Sequence, residues 1–181
     1  KKKEVIFHSR SRTKTVYFVY SGEVMLYNLT KHGNRKVIFI LGKGRLLNQS
    51  IVSKKPNALF CEAACPVQVI EIAEKQFLQL MEQSHALTRA VLREYERNLW
   101  RMGHQLKNTT GNMQMERKIA AKLWKLGRDF GVDTEEGVMI DIDLTITLMA
   151  DLVGAPRENV SRACKVLTDR GLICYGNKRF I

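Results

Sequence analysis

Residues 145–170 read TITLMADLVGAPRENVSRACKVLTDR, and this stretch decides the fold of the C-terminal part of the chain. It predicts one helix over 145–153 and a second over 157–170. Gly154 permits a left-handed turn between them, and Pro156 is well placed to open the second helix. Ala150, four residues before Gly154, is small enough for the two helices to approach closely. Two short helices separated by such a turn are typical of a helix-turn-helix.

The second predicted helix has two chemically different sides. Its apolar side is expected to be buried and holds Val160, Ala163, Cys164 and Leu167. Arginine can bind O6 and N7 of guanine, glutamate can accept from N4 of cytosine, and serine or lysine can hold a phosphate or a base. The first turns of such a helix reach the base edges. The polar side therefore supplies candidate DNA contacts, with an ordinary solvated face as the alternative: Arg157, Glu158, Ser161, Arg162 and Lys165.

A tight β-hairpin is expected after this helix. Its strands are predicted over Leu172–Tyr175 and Lys178–Ile181, with Gly176-Asn177 as the turn. Two cations, Lys178 and Arg179, stand near the tip of the hairpin. The arrangement is similar to a wing that lies along a DNA backbone.

The N-terminal part of the chain follows a different pattern, in which short apolar runs alternate with turn signals. This pattern indicates an all-β sandwich or barrel. The apolar runs cover residues 16–20, 24–29, 37–41, 59–64 and 67–72.

Between these two parts the sequence becomes helical. Neither glycine nor proline occurs between Glu74 and Gly103. Apolar residues no longer recur at every second position, as in a strand, but about every 3.6 residues, as in a helix. One narrow apolar stripe follows steps of three and four, the spacing of helices packed lengthwise. The stripe would either lie on its own domain or form the seam of a dimer; it consists of Leu92, Tyr95, Leu99, Met102 and Leu106.

A polar break at Thr109–Asn112 is a plausible hinge, and an amphipathic helix is expected beyond it over Glu116–Asp129. A turn at Thr134–Gly137 and a short strand at Val138–Ile142 follow. The side of the amphipathic helix that we expect to be buried carries Ile119, Ala120, Leu123, Trp124 and Leu126.

Composition narrows the classes of partner. The chain has 181 residues and a formal net charge of +12, which favours an anionic partner, with nucleic acid first. The surplus is uneven: residues 1–83 carry +8, whereas residues 109–181 carry only +1. No apolar run is long enough for a membrane span, and four scattered cysteines do not make a disulfide scaffold, so we expect a cytoplasmic protein.

With these motifs in this order, the chain resembles the CRP/FNR family of bacterial transcription regulators. The resemblance rests on VYFVYSGEVMLYNLTKHGNRKVIFILGKG at 16–44 and on RENVSR at 157–162 within the helix-turn-helix. It implies an α+β fold: an N-terminal β-roll, a jelly roll like that of cyclic-nucleotide-binding domains, then a long dimerisation helix and a C-terminal winged helix-turn-helix. The expected domains are 1–83, 84–108 and 109–181.

The same resemblance assigns roles to residues of the second helix. Arg157, Glu158 and Arg162 would read bases, and Ser161 is shared with family branches that use an E-x-x-S-R helix. We expect a homodimer on a two-fold symmetric site whose half-sites contain a G, one other base and a second G. Double-stranded DNA, a second copy of the chain and RNA polymerase are the expected partners.

The cyclic-nucleotide pocket departs from the family pattern. Nucleotide-binding members carry Gly-Glu for the ribose in the loop after LGKG, where this chain reads RLLNQ at 45–49. They carry Arg-Ser for the cyclic phosphate where this chain has Asn57-Ala58. Without the arginine a cyclic phosphate has no evident counter-ion, so cyclic AMP is not the expected effector. An acidic group of another small molecule could pair with Arg45 or Lys43, for which solvation is the alternative. Such a molecule would contact Leu47, Gln49, Asn57, Ala58, Leu59, Tyr95 and Leu99, which equally suit a ligand-free core.

Other chemistry finds little support in the sequence. Cys61 and Cys65 could form a redox switch, but they lack the spacing of a metal site. The four histidines are dispersed, and no nucleophile elbow or phosphate-binding loop occurs, so neither a metal, an identifiable cofactor nor an enzyme is expected. The alternative from another class is a ligand-binding sensor module whose C-terminal domain docks protein.

Overall fold

The computed structural model describes residues 1–53, 55–109 and 113–181. The chain forms two compact units. The first combines Lys1–Thr30 with Ile38–Leu106, and the second combines Lys31–Val37 with Lys107–Ile181. The long helix predicted over 84–108 therefore belongs to the first unit through Leu106.

The first unit is built on antiparallel β-structure. Strands β1, β5, β3 and β4 form a four-stranded sheet in that order, while β2 pairs with β6 in a second sheet. In the second sheet Val16 lies opposite Ile72, and Phe18 lies opposite Ile70. The strands are β1 (Val5–Phe7), β2 (Thr15–Ser21), β3 (Val24–Leu29), β4 (Arg35–Leu41), β5 (Phe60–Ala63) and β6 (Gln68–Ala73).

Alternation of apolar residues along these strands produces the core between the two sheets. Side chains at every second position of a strand point to one face, and the inner faces meet. One cluster of buried side chains joins both sheets: Phe7, Val19, Val24, Leu26, Phe39, Leu41, Leu47 and Cys61. A second cluster lies where β2 and the loop after β4 meet the helices, and contains Val16, Leu46, Ile51, Phe77 and Val91.

Two helices complete the first unit. Helix α1 spans Glu74–Gln83 and helix α2 spans His85–Thr109. Ser84 separates them: its N–H donates to the Leu80 carbonyl at 2.9 Å, and its Oγ accepts from the Leu87 N–H at 3.2 Å. One residue thus satisfies backbone groups at the end of one helix and the start of the next.

The second unit contains three helices and two small hairpins in its described residues. The strands β7 and β8 pair antiparallel, as do β9 and β10. The elements are α3 (Met115–Phe130), β7 (Gly131–Thr134), β8 (Gly137–Ile140), α4 (Ile146–Val153), α5 (Arg157–Asp169), β9 (Tyr175–Gly176) and β10 (Arg179–Phe180). The order is that of the expected winged helix-turn-helix, and the α+β fold class is confirmed.

Several details differ from the sequence predictions. Ile119, Leu123 and Leu126 of α3 are buried as predicted, but Ala120 is exposed and Trp124 is 64% exposed. The strand expected over Val138–Ile142 ends at Ile140, where pairing with β7 stops. Of the proposed hinge Thr109–Asn112, Thr109 ends α2, and residues 110–112 lie outside the described part.

Candidate DNA interface and effector region

Helix α4 and the turn after it fix the position of α5. Thr145 begins α4: its Oγ1 accepts a hydrogen bond from the Leu148 N–H at 3.1 Å. The helix ends at Gly154, whose φ of 74° lies in the left-handed region that glycine adopts without strain. The N–H groups of Gly154 and Ala155 both donate to the Ala150 carbonyl, at 2.7 and 3.2 Å. The helix-turn-helix geometry predicted from 145–170 is therefore present.

Helix α5 has the two sides that the sequence predicts. Val160, Ala163, Cys164 and Leu167 are buried in the second unit. The five candidate DNA-contact residues on the other side are all exposed: Arg157, Glu158, Ser161, Arg162 and Lys165. Burial of one side fixes the rotation of the helix, so the polar side chains share a solvent-facing surface.

One side chain of this surface is held by a neighbour that the sequence analysis did not single out. The Arg162 Nη2 donates to Asn159 Oδ1 at 2.6 Å, across one turn of the helix. Residues three apart on a helix lie side by side, so the asparagine can restrict the rotamers of the arginine. Asn159 is exposed on the same surface. It is therefore a residue that positions a candidate base reader.

The hairpin after α5 is present with a turn shifted by one residue. The sequence places the turn at Gly176-Asn177, whereas β9 ends at Gly176 and the turn residues are Asn177 and Lys178. Their φ angles of 49° and 60° are both positive, as a type I′ hairpin turn requires. The Leu144 N–H donates to the Lys178 carbonyl at 2.8 Å, which ties the turn to the segment before α4.

The two cations of the hairpin have different surroundings. Lys178 is exposed at the tip, as expected of a phosphate contact. Arg179 is instead half-buried, and its Nη1 lies 3.3 Å from Asp141 Oδ1 in an ion pair without hydrogen-bond geometry. Arg179 therefore already pairs with a carboxylate of its own unit, and its contact with DNA stays a prediction.

A further positive group lies on α3. Burial, together with the charges of Lys125 and Lys36, lowers the pKa of Lys122 to about 7. A buried ammonium loses hydration and is repelled by neighbouring cations, so its charged form is destabilised. The charge of this part of the second unit therefore changes near neutral pH.

Helix α2 packs on the first unit with both apolar and polar side chains. Val91 belongs to the second buried cluster, whereas further along the helix Arg101 is buried and the Gln105 Nε2 donates to the Ile38 carbonyl at 2.8 Å. The predicted apolar stripe, apart from Tyr95, faces solvent. Its members are Leu92 at 54%, Leu99 at 73%, Met102 at 52% and Leu106 at 67% exposure.

Tyr95 does not belong to this exposed stripe. Its ring is half-buried against the cluster of Val16, Leu46 and Phe77, and its hydroxyl donates to the Asn48 carbonyl at 3.4 Å. Burial raises the pKa of Tyr95 to about 12. Tyr95 therefore differs from the other residues of the predicted dimer seam, which are exposed. Leu99, which the sequence analysis placed in both the seam and the effector region, faces solvent.

The remaining residues of the predicted effector region lie close together and are largely bonded to one another. Leu47 is buried in the core. The Gln49 Oε1 accepts from the N–H groups of Ala58 and Leu59 at 3.0 and 3.2 Å, and its Nε2 donates to the Leu47 carbonyl at 3.1 Å. Gln49 therefore ties the loop after β4 to the segment before β5.

Asn57 is different. It is 4% exposed, and its Nδ2 has no hydrogen-bond partner among the residues that the structure describes. Its backbone is fixed, because its N–H donates to the Ser11 carbonyl and its carbonyl accepts from the Arg10 N–H. An unsatisfied buried donor is costly, so this amide is a candidate ligand contact.

The sequence analysis missed an ion pair that links this region to α2. The Arg45 Nε donates to Glu94 Oε1 at 2.6 Å, and its Nη2 donates to Asn98 Oδ1 at 3.2 Å. Both charged side chains are only 14% exposed. Arg45 therefore pairs with its own chain, whereas the sequence suggested solvent or a ligand acid. The signal was the placement of Glu94 and Asn98 four residues apart, on one side of α2.

The two cysteines of the first unit are poorly suited to ionise. Burial raises the pKa of Cys61 to about 12. Burial also raises the pKa of Cys65, whose Sγ donates to Glu23 Oε2 at 2.8 Å. Among the described residues no group of three or more metal-ligating side chains comes together, and no helix is long and apolar enough to cross a membrane.

Two protein-family models match the N-terminal and the C-terminal part of the chain separately. Residues 1–84 match the model of the cyclic nucleotide-binding domain, and residues 117–181 match that of the Crp-like helix-turn-helix domain. The chain belongs to the CRP/FNR family. It is thus a member of a family of transcription regulators that carry a helix-turn-helix DNA-binding domain.

CRP/FNR relatives resemble the chain over nearly its full length. The cAMP-activated global transcriptional regulator CRP of Haemophilus influenzae is 25% identical over 99% of this chain and 80% of its own. The global nitrogen regulator of Nostoc sp. is 23% identical over 97% of this chain and 80% of its own. The structure of FixK2 from Bradyrhizobium japonicum covers 100% of this chain and 88% of its own, with a TM-score of 0.86 at 20% identity.

Proposed function

We propose that this chain is a homodimeric, sequence-specific DNA-binding transcription regulator that reads a two-fold symmetric site with α5. The observation that carries the proposal is the exposed polar side of α5 opposite a fully packed side. Arg157, Glu158 and Arg162 on it offer the donors and acceptors that distinguish base pairs in the major groove. Lys178 at the hairpin tip would add a phosphate contact that sets orientation.

The dimer is supported by the exposed apolar stripe of α2, which consists of Leu92, Leu99, Met102 and Leu106. An exposed stripe of large apolar side chains on a helix is normally covered by a partner. Two copies of α2 packed along this stripe would give the molecule a two-fold axis. The two copies of α5 would then enter successive major grooves, about 34 Å apart.

The two arginines and the family resemblance together suggest the sequence of a half-site. Each arginine is suited to bind a guanine through O6 and N7, and the resemblance implies a half-site with a G, one other base and a second G. Selection of random duplexes by the full chain, repeated at rising salt, tests this. We expect palindromic sites with G·C pairs at those positions and affinity that falls with salt. Recovered sites without G·C pairs there would overturn the half-site assignment.

The first unit would sense a signal other than cyclic AMP, either a small molecule or a redox change. Asn57 and Ala58 supply no cation for a cyclic phosphate, whereas the unsatisfied Asn57 Nδ2 can donate to a carbonyl or hydroxyl of another ligand. Native mass spectrometry of the purified chain tests this. We expect a retained small molecule, and no change in DNA affinity on adding cyclic AMP. Tight binding of cyclic AMP would contradict the proposal.

RNA polymerase is the protein partner we propose for the DNA-bound dimer, since the relatives are transcription regulators. A supershift of the dimer–DNA complex by purified polymerase is the expected result. The second candidate function is a sensor module whose second unit docks protein instead of DNA. Sequence-selective duplex binding that weakens with salt supports regulation, whereas no duplex binding even at low salt favours the sensor module.

A further inference from the structure

The second unit contains an apolar groove that the proposed DNA contacts do not use. Its volume is about 510 Å³. One wall is α3 with Leu123, Trp124 and Gly127, and another is β8 with Val138 and Ile140. The end of α5, the segment after it and strand β10 close the groove with Leu167, Leu172, Ile173, Phe180 and Ile181.

Large apolar side chains at this groove remain exposed to solvent. Trp124 is 64% exposed, Leu172 is 65% exposed and Val138 is 49% exposed. Single exposed apolar residues are ordinary, but a concave surface that gathers three of them indicates a binding site. The volume lies within the range of roughly 300–1,000 Å³ that small-molecule sites occupy. A groove of this size can therefore hold a small molecule.

The polar chemistry of the groove is concentrated in one residue. Arg128 carries the one charged side chain among the residues that line the groove in the described part of the chain. Its guanidinium carbon lies 5.0 Å from the centroid of the Trp124 ring. The groove thus combines an aromatic surface with an adjacent positive charge.

We propose that this groove binds a small aromatic anion, whose ring lies against Trp124 while its carboxylate or sulfonate pairs with Arg128. An anion can bind the guanidinium by charge-assisted hydrogen bonds, and aromatic groups pack favourably on an indole. The site differs from the proposed effector region of the first unit in both location and chemistry. It adjoins α5 and the hairpin, the two elements proposed to contact DNA.

The full-length chain with Trp100→Phe tests the proposal. The chain has two tryptophans, so Trp124 is then the only indole. The probe is 8-anilinonaphthalene-1-sulfonate, an aromatic anion, and the matched neutral probe is N-phenyl-1-naphthylamine. Energy transfer from Trp124 to each probe gives an affinity. We expect saturable binding at one site per chain, tighter for the anionic probe.

Two variants separate the apolar surface from the charge. Gly127→Leu fills the groove from α3: a Cβ at Gly127 would meet only Val138 Cγ1, at 3.8 Å, so the backbone can accept a side chain. This variant should lose binding of both probes. Arg128→Gln should weaken binding of the anionic probe by about tenfold, because it removes one charge-assisted hydrogen bond. Binding of the neutral probe should be unchanged.

The outcomes decide the proposal. Loss of both probes in Gly127→Leu and selective loss of the anion in Arg128→Gln support it. The proposal is overturned if Gly127→Leu binds both probes as the wild type does, or if Arg128→Gln affects both probes equally. It is also overturned if the signal is lost at high protein concentration, because a second copy of the chain would then cover the groove. If Gly127→Leu does not fold, the ¹⁹F resonance of 5-fluorotryptophan at position 124 gives a second measurement. A resonance that does not shift with either probe, or that titrates with equal affinity for both, overturns the proposal.

Discussion

The Arg162 guanidinium donates to Asn159 Oδ1 at 2.6 Å on the exposed side of α5. Both residues lie within the first two turns of the helix, where side chains can reach base edges. The bond restricts a long, flexible arginine before any partner is present. Part of the entropy that binding would otherwise lose is therefore already lost in the free protein.

Two substitutions should separate base reading from positioning. Arg162→Ala should weaken binding to a selected site by about 1–3 kcal/mol and relax the preference for G at one position. Asn159→Ala should weaken binding less while the preference for G remains. Titrations of wild-type and base-substituted duplexes measure both effects. Arg170→Ala, an exposed arginine just after α5, is the control and should change specificity at no position.

Leu99 provides the test of the dimer. Leu99→Glu places a charge in the centre of the exposed stripe and should weaken self-association by about a hundredfold or more, together with specific DNA binding. Analytical ultracentrifugation and gel shift measure the two. Arg97→Ala changes the net charge equally, outside the stripe, and should leave the dimer intact. A Leu99→Glu protein that remains a DNA-binding dimer would show that the stripe is not the interface.

The Arg45–Glu94 ion pair should stabilise the attachment of α2 to the first unit. Removing either partner leaves a largely buried charge or hydrogen-bonding group unsatisfied, so Arg45→Ala and Glu94→Ala should each cost about 1–3 kcal/mol. The double variant should cost less than the sum of the two. Urea unfolding followed by circular dichroism measures the cycle. Lys43→Ala, at an exposed position in the same loop, is the matched control; strict additivity would mean that the pair is not coupled.

Thiol accessibility tests the redox hypothesis. The raised pKa of Cys61 and Cys65 keeps both thiols protonated at neutral pH, and only the thiolate reacts rapidly. Cys174 is exposed. With iodoacetamide at pH 7.5 we expect Cys174 to be modified first and Cys61 only on unfolding. Mass spectrometry of timed digests measures the order, and rapid joint modification of Cys61 and Cys65 would favour the redox switch.

Lys122 should give stability a dependence on pH. Its pKa is about 7 in the folded chain, against an ordinary lysine value of 10.5. Between these values the folded chain has lost a proton that the unfolded chain still binds, so stability rises with pH above about 7. Below that range both states are protonated and the contribution is constant.

Urea midpoints between pH 6 and pH 9.5 measure this effect. The rise above neutral pH should be smaller in Lys122→Met than in wild type. Lys165→Met, which removes an exposed lysine of α5, should retain the wild-type rise. An identical pH dependence in wild type and Lys122→Met would mean that Lys122 is charged at neutral pH in the folded chain.

Local signals were enough to predict most of the fold. Gly154 and Pro156 mark the turn because their backbone preferences act within a few residues, and the buried side of α5 follows from helical period alone. Trp124 and Ala120 were misplaced because periodicity identifies an apolar side but not whether another element covers all of it. Trp124 lies at the rim of a groove instead of beneath a neighbour.

Contacts of the candidate site that the sequence analysis missed have a related cause. The ion pairs Arg45–Glu94 and Arg179–Asp141 join residues that are far apart in the sequence. The spacing of Glu94 and Asn98 places both on one side of α2 but does not identify Arg45 as their partner. Tyr95 and Leu99 are consecutive members of the apolar stripe, four residues apart, yet Tyr95 is half-buried and Leu99 faces solvent. The spacing alone cannot show which side of α2 the roll occupies.

The hairpin tip also has an energetic consequence. Lys178 adopts a φ of 60°, a conformation that costs a non-glycine residue about 1–2 kcal/mol. Glycine would relax this turn and remove the cation from its tip. Folding stability and the placement of this positive charge therefore oppose one another at position 178, and the chain has a lysine where stability alone would select glycine.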